Sequence, residues 1–409
     1  MSATRRALLT VAGVDRPGIC HAICEVLARH QVPVIDIEQA STHRLLSLSF
    51  VIDLGHLAGE GAARGDEALV KELLYAGWRL GAAVQLEPMK DDDFIGFPEL
   101  TESINRNLCA ITVLGRQVGA DALAAVTGAL ARRNGNITNI HKLSRRRLAA
   151  VEMIASVPGQ DAMAEVKREL LLAARGLDID VAVQRENLYR RSKRLVVFDM
   201  DSTLIEQEVI DEVARAVGRY DEVAAITHRA MNGEIEFPEA FAARVELLRG
   251  GRLADLVDRV SPTLSLRPGA EELVRVLKKL GYKLAVISGG FSAFVDPLKE
   301  RLGLDYAFSN ELDVEGGVLT GRVRGALIDR QRKADLLAMV ASMERIQLDQ
   351  VMAVGDGAND LAMLERAGLG VAFNAKRTVQ DAAQVAVNQS DMASLLYLLG
   401  IRDDELAEL

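Results

Sequence analysis

Leu195-Val-Val-Phe-Asp199-Met-Asp201-Ser-Thr203 is a short apolar run that passes without a break into two carboxylates and two hydroxyls. Every position of the run is apolar, with no polar alternation. That is the pattern of a strand buried on both faces, as in a parallel sheet. Two further stretches have the same form: Leu284-Ala-Val-Ile leads into Ser288-Gly289-Gly290, and Val351-Met-Ala-Val leads into Gly355-Asp356-Gly-Ala-Asn359-Asp360. Helical segments separate them, so the chain from 194 to 409 is predicted to be a doubly wound α/β domain. In open α/β sheets the ligand crevice lies beyond the carboxyl ends of the strands. The three polar clusters are therefore expected to converge on one site.

Asp199, Asp201, Asp356 and Asp360 meeting in one crevice would repel one another unless a cation neutralises them. All-oxygen ligation suits a hard ion such as Mg2+, which engages few carboxylates, keeps waters and accepts a substrate phosphate. Between the first strand and the next helix lies an insertion, about 205–265, with helical periodicity over 209–217, 222–231 and 238–248. It is predicted to form a cap that closes over the site and excludes water. Glu208 and Arg244 within it carry opposite charges, which suits a zwitterion bearing an ammonium and a carboxylate.

Taken together, Asp199-Met-Asp201-Ser-Thr203-Leu, Ser288, Lys333 and Gly355-Asp356-Gly-Ala-Asn359-Asp360, in that chain order, resemble the haloacid dehalogenase superfamily. The fit is nearest to its phosphoserine phosphatases. That resemblance implies Asp199 as nucleophile and Asp201 as general acid and then base. It implies Mg2+ held by Asp199, the main-chain carbonyl of Asp201 and Asp356, with Asp360 behind them. Ser288, Gly289, Lys333 and Asn359 would bind the phosphoryl group. Glu208 and Arg244 would read the amino acid, with Met231 and Phe237 walling the pocket. The implied reaction is hydrolysis of O-phospho-L-serine to L-serine, the last step of serine biosynthesis. Two rival readings are a phosphatase for another small phosphomonoester, and a regulatory amino-acid-binding protein with a vestigial hydrolase half.

Upstream, strand and helix patterns alternate in the order βαββαβ over residues 1–90, a ferredoxin-like arrangement. The same order returns over 107–184, where Ala110-Ile-Thr-Val-Leu-Gly115 echoes Leu9-Thr-Val-Ala-Gly13. Proline and clustered acids mark 91–106 as a linker, and the basic stretch 185–193 as a second one. The turn Gly13-Val-Asp15-Arg-Pro17-Gly18 resembles ACT domains, which bind amino acids at domain interfaces; the second copy has Gly115-Arg-Gln-Val-Gly119 at the same place. The resemblance implies an effector site near Asp15, Gly18 and Gly119, with L-serine as its ligand. Sheet edges that can pair with another copy predict a homodimer.

Composition narrows the partners. The net charge of −9 over 409 residues argues against nucleic acid and anionic membranes. Cys20, Cys24 and Cys109 are odd in number and lack neighbouring zinc ligands, so they read as buried thiols in a reducing compartment. Arg5-Arg6 precedes an apolar run broken at once by Asp15-Arg16-Pro17, which makes a poor signal peptide. The expectation is a cytoplasmic protein.

Overall fold

The structure is a computed structural model, and it describes residues 5–55, 62–90, 108–145, 148–159, 162–231 and 234–406, without the side chains of 62–66, 162 and 231. The stretch 91–106 read as a linker lies outside the described residues. The chain forms two compact units, Met1–Glu102 and Ser103–Leu409.

In the first unit, strands β1 (Arg6–Val14), β2 (Val34–Thr42), β3 (Leu45–Asp53) and β4 (Ala82–Pro88) form an antiparallel sheet in the order β2-β3-β1-β4. Side chains alternate across a strand, so Leu9 and Val11 of β1 face the core together with Leu48, Phe50 and Ile52 of β3. The helices Ile19–Arg29 and Ala62–Leu80 cover that face, the first through Ile19, Ile23, Val26 and Leu27. β2 is an edge strand exposed along its whole length. Cys20 and Cys24 are half-buried rather than buried, with their Sγ atoms 4.0 Å apart; only Cys109 is fully enclosed.

The second unit starts with the same plan: β5 (Leu108–Gly115), β6 (Asn136–Lys142), β7 (Ala150–Ser156) and β8 (Ile179–Arg185) run in the order β6-β7-β5-β8, with helices Ala120–Arg132 and Ala162–Ala173. Its inner strands β5 and β7 are buried on both faces, whereas the edge strand β6 is exposed along nearly its whole length. Ile111, Val113 and Met153 face its own helices, whereas Leu114, Ala150 and Ala182 join the core of the following domain. Thr112 and Glu152, on that second face, are fully enclosed.

Hydrogen bonds fasten the two together. Asp180 of β8 accepts from Asn388 N at 2.7 Å, Asn388 Nδ2 at 2.9 Å and Gln389 Nε2 at 2.7 Å. The stretch 185–193 is no solvated tether. Arg190 is buried there, donating to Glu152 at 2.7 Å and also pairing with Glu186.

The remaining strands are β9 (Leu195–Phe198), β10 (Lys283–Phe291), β11 (Tyr306–Glu315), β12 (Val318–Arg324), β13 (Val351–Gly355), β14 (Leu369–Phe373) and β15 (Val385–Val387). They form a seven-stranded sheet in the order β12-β11-β10-β9-β13-β14-β15, parallel except for β12, an antiparallel edge strand that returns from β11. β9 lies at the centre. Phe198 is in register with Val286 on one side and Val354 on the other, so the residues that follow all three strands emerge side by side. The insertion folds into four helices, Val209–Val217, Tyr220–Met231, Phe237–Glu246 and Leu253–Val260; the last is absent from the sequence reading. Among the described residues no helix is long and apolar enough to cross a membrane.

Removing one member of a buried ion pair strands the other charge, at about 3–5 kcal/mol. Glu152 also accepts from Arg191 Nη2 at 2.9 Å and is not left unpaired, so Arg190→Met is expected to lower the unfolding free energy of the second unit by less than that, about 1–3 kcal/mol, in urea titrations. A loss below about 1 kcal/mol, the range of an exposed pair, would show that the junction is not held by this contact.

Candidate active site

The catalytic candidates are placed by backbone first. Asp199 N donates to Val354 O at 2.9 Å, which ties the end of β9 to β13. The chain then makes an irregular turn, Met200–Leu204, in which Asp201 is extended and Ser202 is left-handed at φ 54°. A left-handed non-glycine residue is strained and persists where its surroundings hold it.

Three buried charges form the floor. Lys333 Nζ lies 2.7 Å from Asp199 Oδ1 and 2.7 Å from Asp360 Oδ1. It is aimed by the helix Arg330–Met343, whose first turn is capped by Asp329 accepting from Arg332 N at 2.8 Å. The other oxygen of Asp360 accepts from the amides of Asp356 at 3.1 Å and Gly357 at 2.9 Å. Gly355 makes this packing possible, because a Cβ there would lie 2.5 Å from the Asp360 carboxylate. Asp356 Oδ1 accepts from Thr203 Oγ1 at 2.9 Å.

Asp201 occupies a different environment two residues from Asp199. Its Oδ1 accepts from Val209 N at 2.9 Å, the first amide of the cap helix, and its Oδ2 from Ser288 Oγ at 3.2 Å. Ser288 Oγ accepts in turn from Gly290 N at 2.8 Å. Burial, and next the charge of Glu208, push Asp201 up to about 7. Burial and Asp360 likewise push Asp356 up to about 6, and raise Asp199 well above the usual carboxylate range against the pull of Lys333. Burial alone would lower Lys333, but Asp199 and Asp360 outweigh it and hold it protonated.

The raised carboxylates show a site short of positive charge. Oxygens of Asp199, Asp356 and Asp360 lie within 4.8 Å of one another. Both oxygens of Asp360 are already engaged. Asp199 Oδ1 is buried and accepts no well-aligned hydrogen bond; its contact with Lys333 is ionic. This donor set fits one small hard cation on Asp199 and Asp356.

Of the substrate-side residues, Glu208 is exposed and accepts from Ser202 Oγ at 3.0 Å. Arg244 is half-buried, with Nη1 3.4 Å from Thr227 Oγ1; burial lowers it, while Glu208 and Asp211 raise it. Phe237 meets Phe241 at 6.0 Å between ring centres, and Phe241 meets Phe291 at 6.2 Å, so the cap rests on the end of β10. Asn359 is half-buried beside Gly357. Gly289 accepts through its carbonyl from Asn310 Nδ2 at 2.8 Å. The Met231 side chain lies outside the described residues. Thr203, Thr227 and Arg267 were not singled out by sequence; Thr203 at least stands inside the quoted motif, whereas the other two carry no local signal.

In the first unit, Asp15 and Gly18 line an open groove of about 550 Å³ with Gln39, His43 and Arg44, and Asp15 Oδ2 accepts from Ser41 Oγ at 3.0 Å. Gly18 is left-handed at φ 96° where it starts its helix, whereas Gly119 at the same place in the second copy is extended at φ −83°. The two turns are not equivalent.

Residues 196–365 match the haloacid dehalogenase-like hydrolase family, and residues 5–87 and 109–184 each match an ACT domain family. Among known proteins, the chain is 41% identical over 400 residues to a phosphoserine phosphatase of Streptomyces coelicolor, covering 98% of this chain and 93% of the relative. It is 37% identical over 406 residues to phosphoserine phosphatase SerB2 of Mycobacterium tuberculosis, covering 99% and 96%. A crystal structure of a probable phosphoserine phosphatase from Vibrio cholerae superposes with a TM-score of 0.57 at 32% identity, covering 78% of this chain and 94% of that one.

Lys333→Met would leave Asp199 and Asp360 buried without their counter-charge. The expected loss is about 3–5 kcal/mol of unfolding free energy in chelator-containing buffer, read by denaturant titration. An unchanged midpoint would mean the ammonium does not hold the floor together.

Proposed function

Because this chain belongs to the phosphoserine phosphatases of the haloacid dehalogenase type, we propose that it hydrolyses O-phospho-L-serine to L-serine and phosphate through an aspartyl-phosphate on Asp199. Supporting this are two carboxylates, two residues apart, in opposite settings. Asp199 is paired with Lys333, while burial and the charge of Glu208 keep Asp201 protonatable near neutral pH against the hydrogen bonds donated by Val209 N and Ser288 Oγ. Pairs of carboxylates with unlike environments divide nucleophilic from acid–base work.

Asp199 attacks phosphorus, the bond from phosphorus to the seryl oxygen breaks, and Asp201 gives its proton to that oxygen. Asp201, now a carboxylate, takes a proton from a water that attacks the phosphoryl group from the opposite side. Phosphate leaves and the Asp199 carboxylate is restored. Ser288, Gly289, Lys333 and Asn359 hold the phosphoryl oxygens, and Lys333 balances the negative charge spread over them in the transition state. Asp199, the main-chain carbonyl of Asp201 and Asp356 would hold Mg2+, which when bound would neutralise the charge that keeps nucleophile and phosphate apart. Asp360 fixes Lys333 and the 356–357 amides from behind. Glu208 takes the substrate ammonium and Arg244 its carboxylate, with Phe237 and Met231 as walls.

The same reading extends to control. L-Serine binds the groove at Asp15 and Gly18 of the first ACT domain, two chains pair as a homodimer through exposed ACT sheet edges, and the enzyme works in the cytoplasm. Bound serine inhibits by favouring a less active arrangement.

Asp199→Asn keeps the side-chain shape without the nucleophile, so phosphate release should fall to background with the circular dichroism spectrum unchanged. Wild type should stop in EDTA and recover with Mg2+. Full turnover by the well-folded variant would refute the covalent route.

A hydrogen bond to a charged group contributes about 1.5–3 kcal/mol, so Glu208→Ala and Arg244→Ala should each lower kcat/KM for phosphoserine roughly 10- to 150-fold. Hydrolysis of p-nitrophenyl phosphate, which lacks both charged groups, should change little. Equal losses on both substrates would assign these residues to cap structure.

A further inference from the structure

Arg267 precedes the helix Ala270–Lys279 and reaches into the catalytic turn. Its Nη2 donates to Ser202 O at 2.5 Å and its Nε to Thr203 O at 3.1 Å. Its own amide donates to Leu204 O at 2.9 Å, and its guanidinium lies 5.8 Å from the ring centre of Phe373. Two consecutive carbonyls on a planar, forked donor fix the orientation of both peptide planes. Those carbonyls belong to the left-handed Ser202 and to Thr203, whose side chains reach Glu208 and Asp356. Asp201 is the residue immediately before them.

The segment that carries Arg267 is gripped from its other side. Met392 N donates to Pro268 O at 2.8 Å. Gly269 is left-handed at φ 80°, and a Cβ there would fall 1.8 Å from the Asp391 side-chain Oδ1 and 2.6 Å from Ala393 N, so this turn packs directly against the 391–393 segment. Asp391 belongs to the same loop as Asn388 and Gln389, which Asp180 of the second ACT domain holds through three hydrogen bonds. A continuous line of packed and bonded groups therefore runs from Asp180 through 388–392 and 267–269 to the turn that follows Asp199 and carries Asp201.

We propose that Arg267 is a positioning residue that holds the catalytic turn, and that the second ACT domain sets the rate of the chemical step through it. This rests on the reading of Asp199 and Asp201 given above. Arg267 touches neither substrate nor reacting atoms. It acts on the direction of the Ser202 and Thr203 carbonyls, and through them on where Asp199 and Asp201 stand relative to each other. A displacement of about 1 Å at a nucleophile can cost on the order of 100-fold in rate. A connected route is a physical candidate for coupling, and non-additivity between its ends is what tests it.

The test is a double-mutant cycle on the full-length protein, with Asp180→Asn, Arg267→Ala and their combination, and with Arg267→Lys as the conservative variant. Turnover of p-nitrophenyl phosphate is compared with wild type, so a wrong assignment of phosphoserine would appear separately, as wild type idle on phosphoserine yet active on the aryl phosphate. Arg267→Ala is expected to lower kcat about 100-fold with KM changed less than threefold. Arg267→Lys, a point charge unable to hold both carbonyls, should fall between. Asp180→Asn should lower kcat severalfold in the wild-type background and not at all in Arg267→Ala. An unchanged kcat in Arg267→Ala would overturn the positioning role. Equal fractional losses from Asp180→Asn in both backgrounds would overturn the coupling. Should Arg267→Ala fail to fold, the same two criteria apply to Arg267→Lys.

Discussion

Lys333 is a full positive charge with no access to water, and the catalytic half is arranged around that fact. A buried ammonium is tolerated only when paired and hydrogen-bonded. It holds Asp199 at the end of the central strand and Asp360 at the end of the last motif. Asp360 passes the constraint on, because its second oxygen orders the amides of Asp356 and Gly357. Three segments distant in sequence are thereby fixed to one atom. The glycines of that loop follow from the same packing, since a side chain at Gly355 would occupy the space of the Asp360 carboxylate. The one ammonium does not balance the three carboxylates around it, and the imbalance leaves room for a divalent cation.

The two ACT domains share an order of strands and almost nothing else in their use. In the first, one sheet face is covered by helices and the edge strand β2 is exposed throughout. In the second, the opposite face is packed on the hydrolase core, with Glu152 and Arg190 enclosed between them. Duplication thus supplied one copy that folds as a compact unit of its own and one that has become part of the catalytic body. The left-handed turn at Gly18 belongs to the first copy and the extended one at Gly119 to the second.

Much of this was legible in the residues because burial on both faces imposes a recognisable pattern. Strands β9, β10 and β13 are short continuous apolar runs, and the polar residues that end them had to emerge together once the strands were parallel and adjacent. The βαββαβ order came from periodicities of two and 3.6 in the same way. The helix Leu253–Val260 was missed because it is short and lies between Gly250-Gly251 and Pro262, which read as loop. The pair Glu152–Arg190 and the bonds of Arg267 to the catalytic turn were invisible for a different reason. They join residues tens of positions apart through side chains, and no periodicity records such a contact. The basic stretch 185–193 reads as a linker because the buried acidic partner of Arg190 lies on a strand in another part of the chain.

Asp201 sits where one of its oxygens receives the first amide of the cap helix Val209–Val217. An anion at a helix N-terminus is favoured by roughly 0.3–1 kcal/mol over a neutral group. In the reaction drawn for this site, Asp201 is neutral before it protonates the departing alcohol and anionic from then until water is split. The cap helix is consequently anchored more firmly during the life of the phosphoenzyme than before or after it. The proton thus works as a clock: its departure tightens the lid over the reactive acyl phosphate, and its return loosens the lid as product forms.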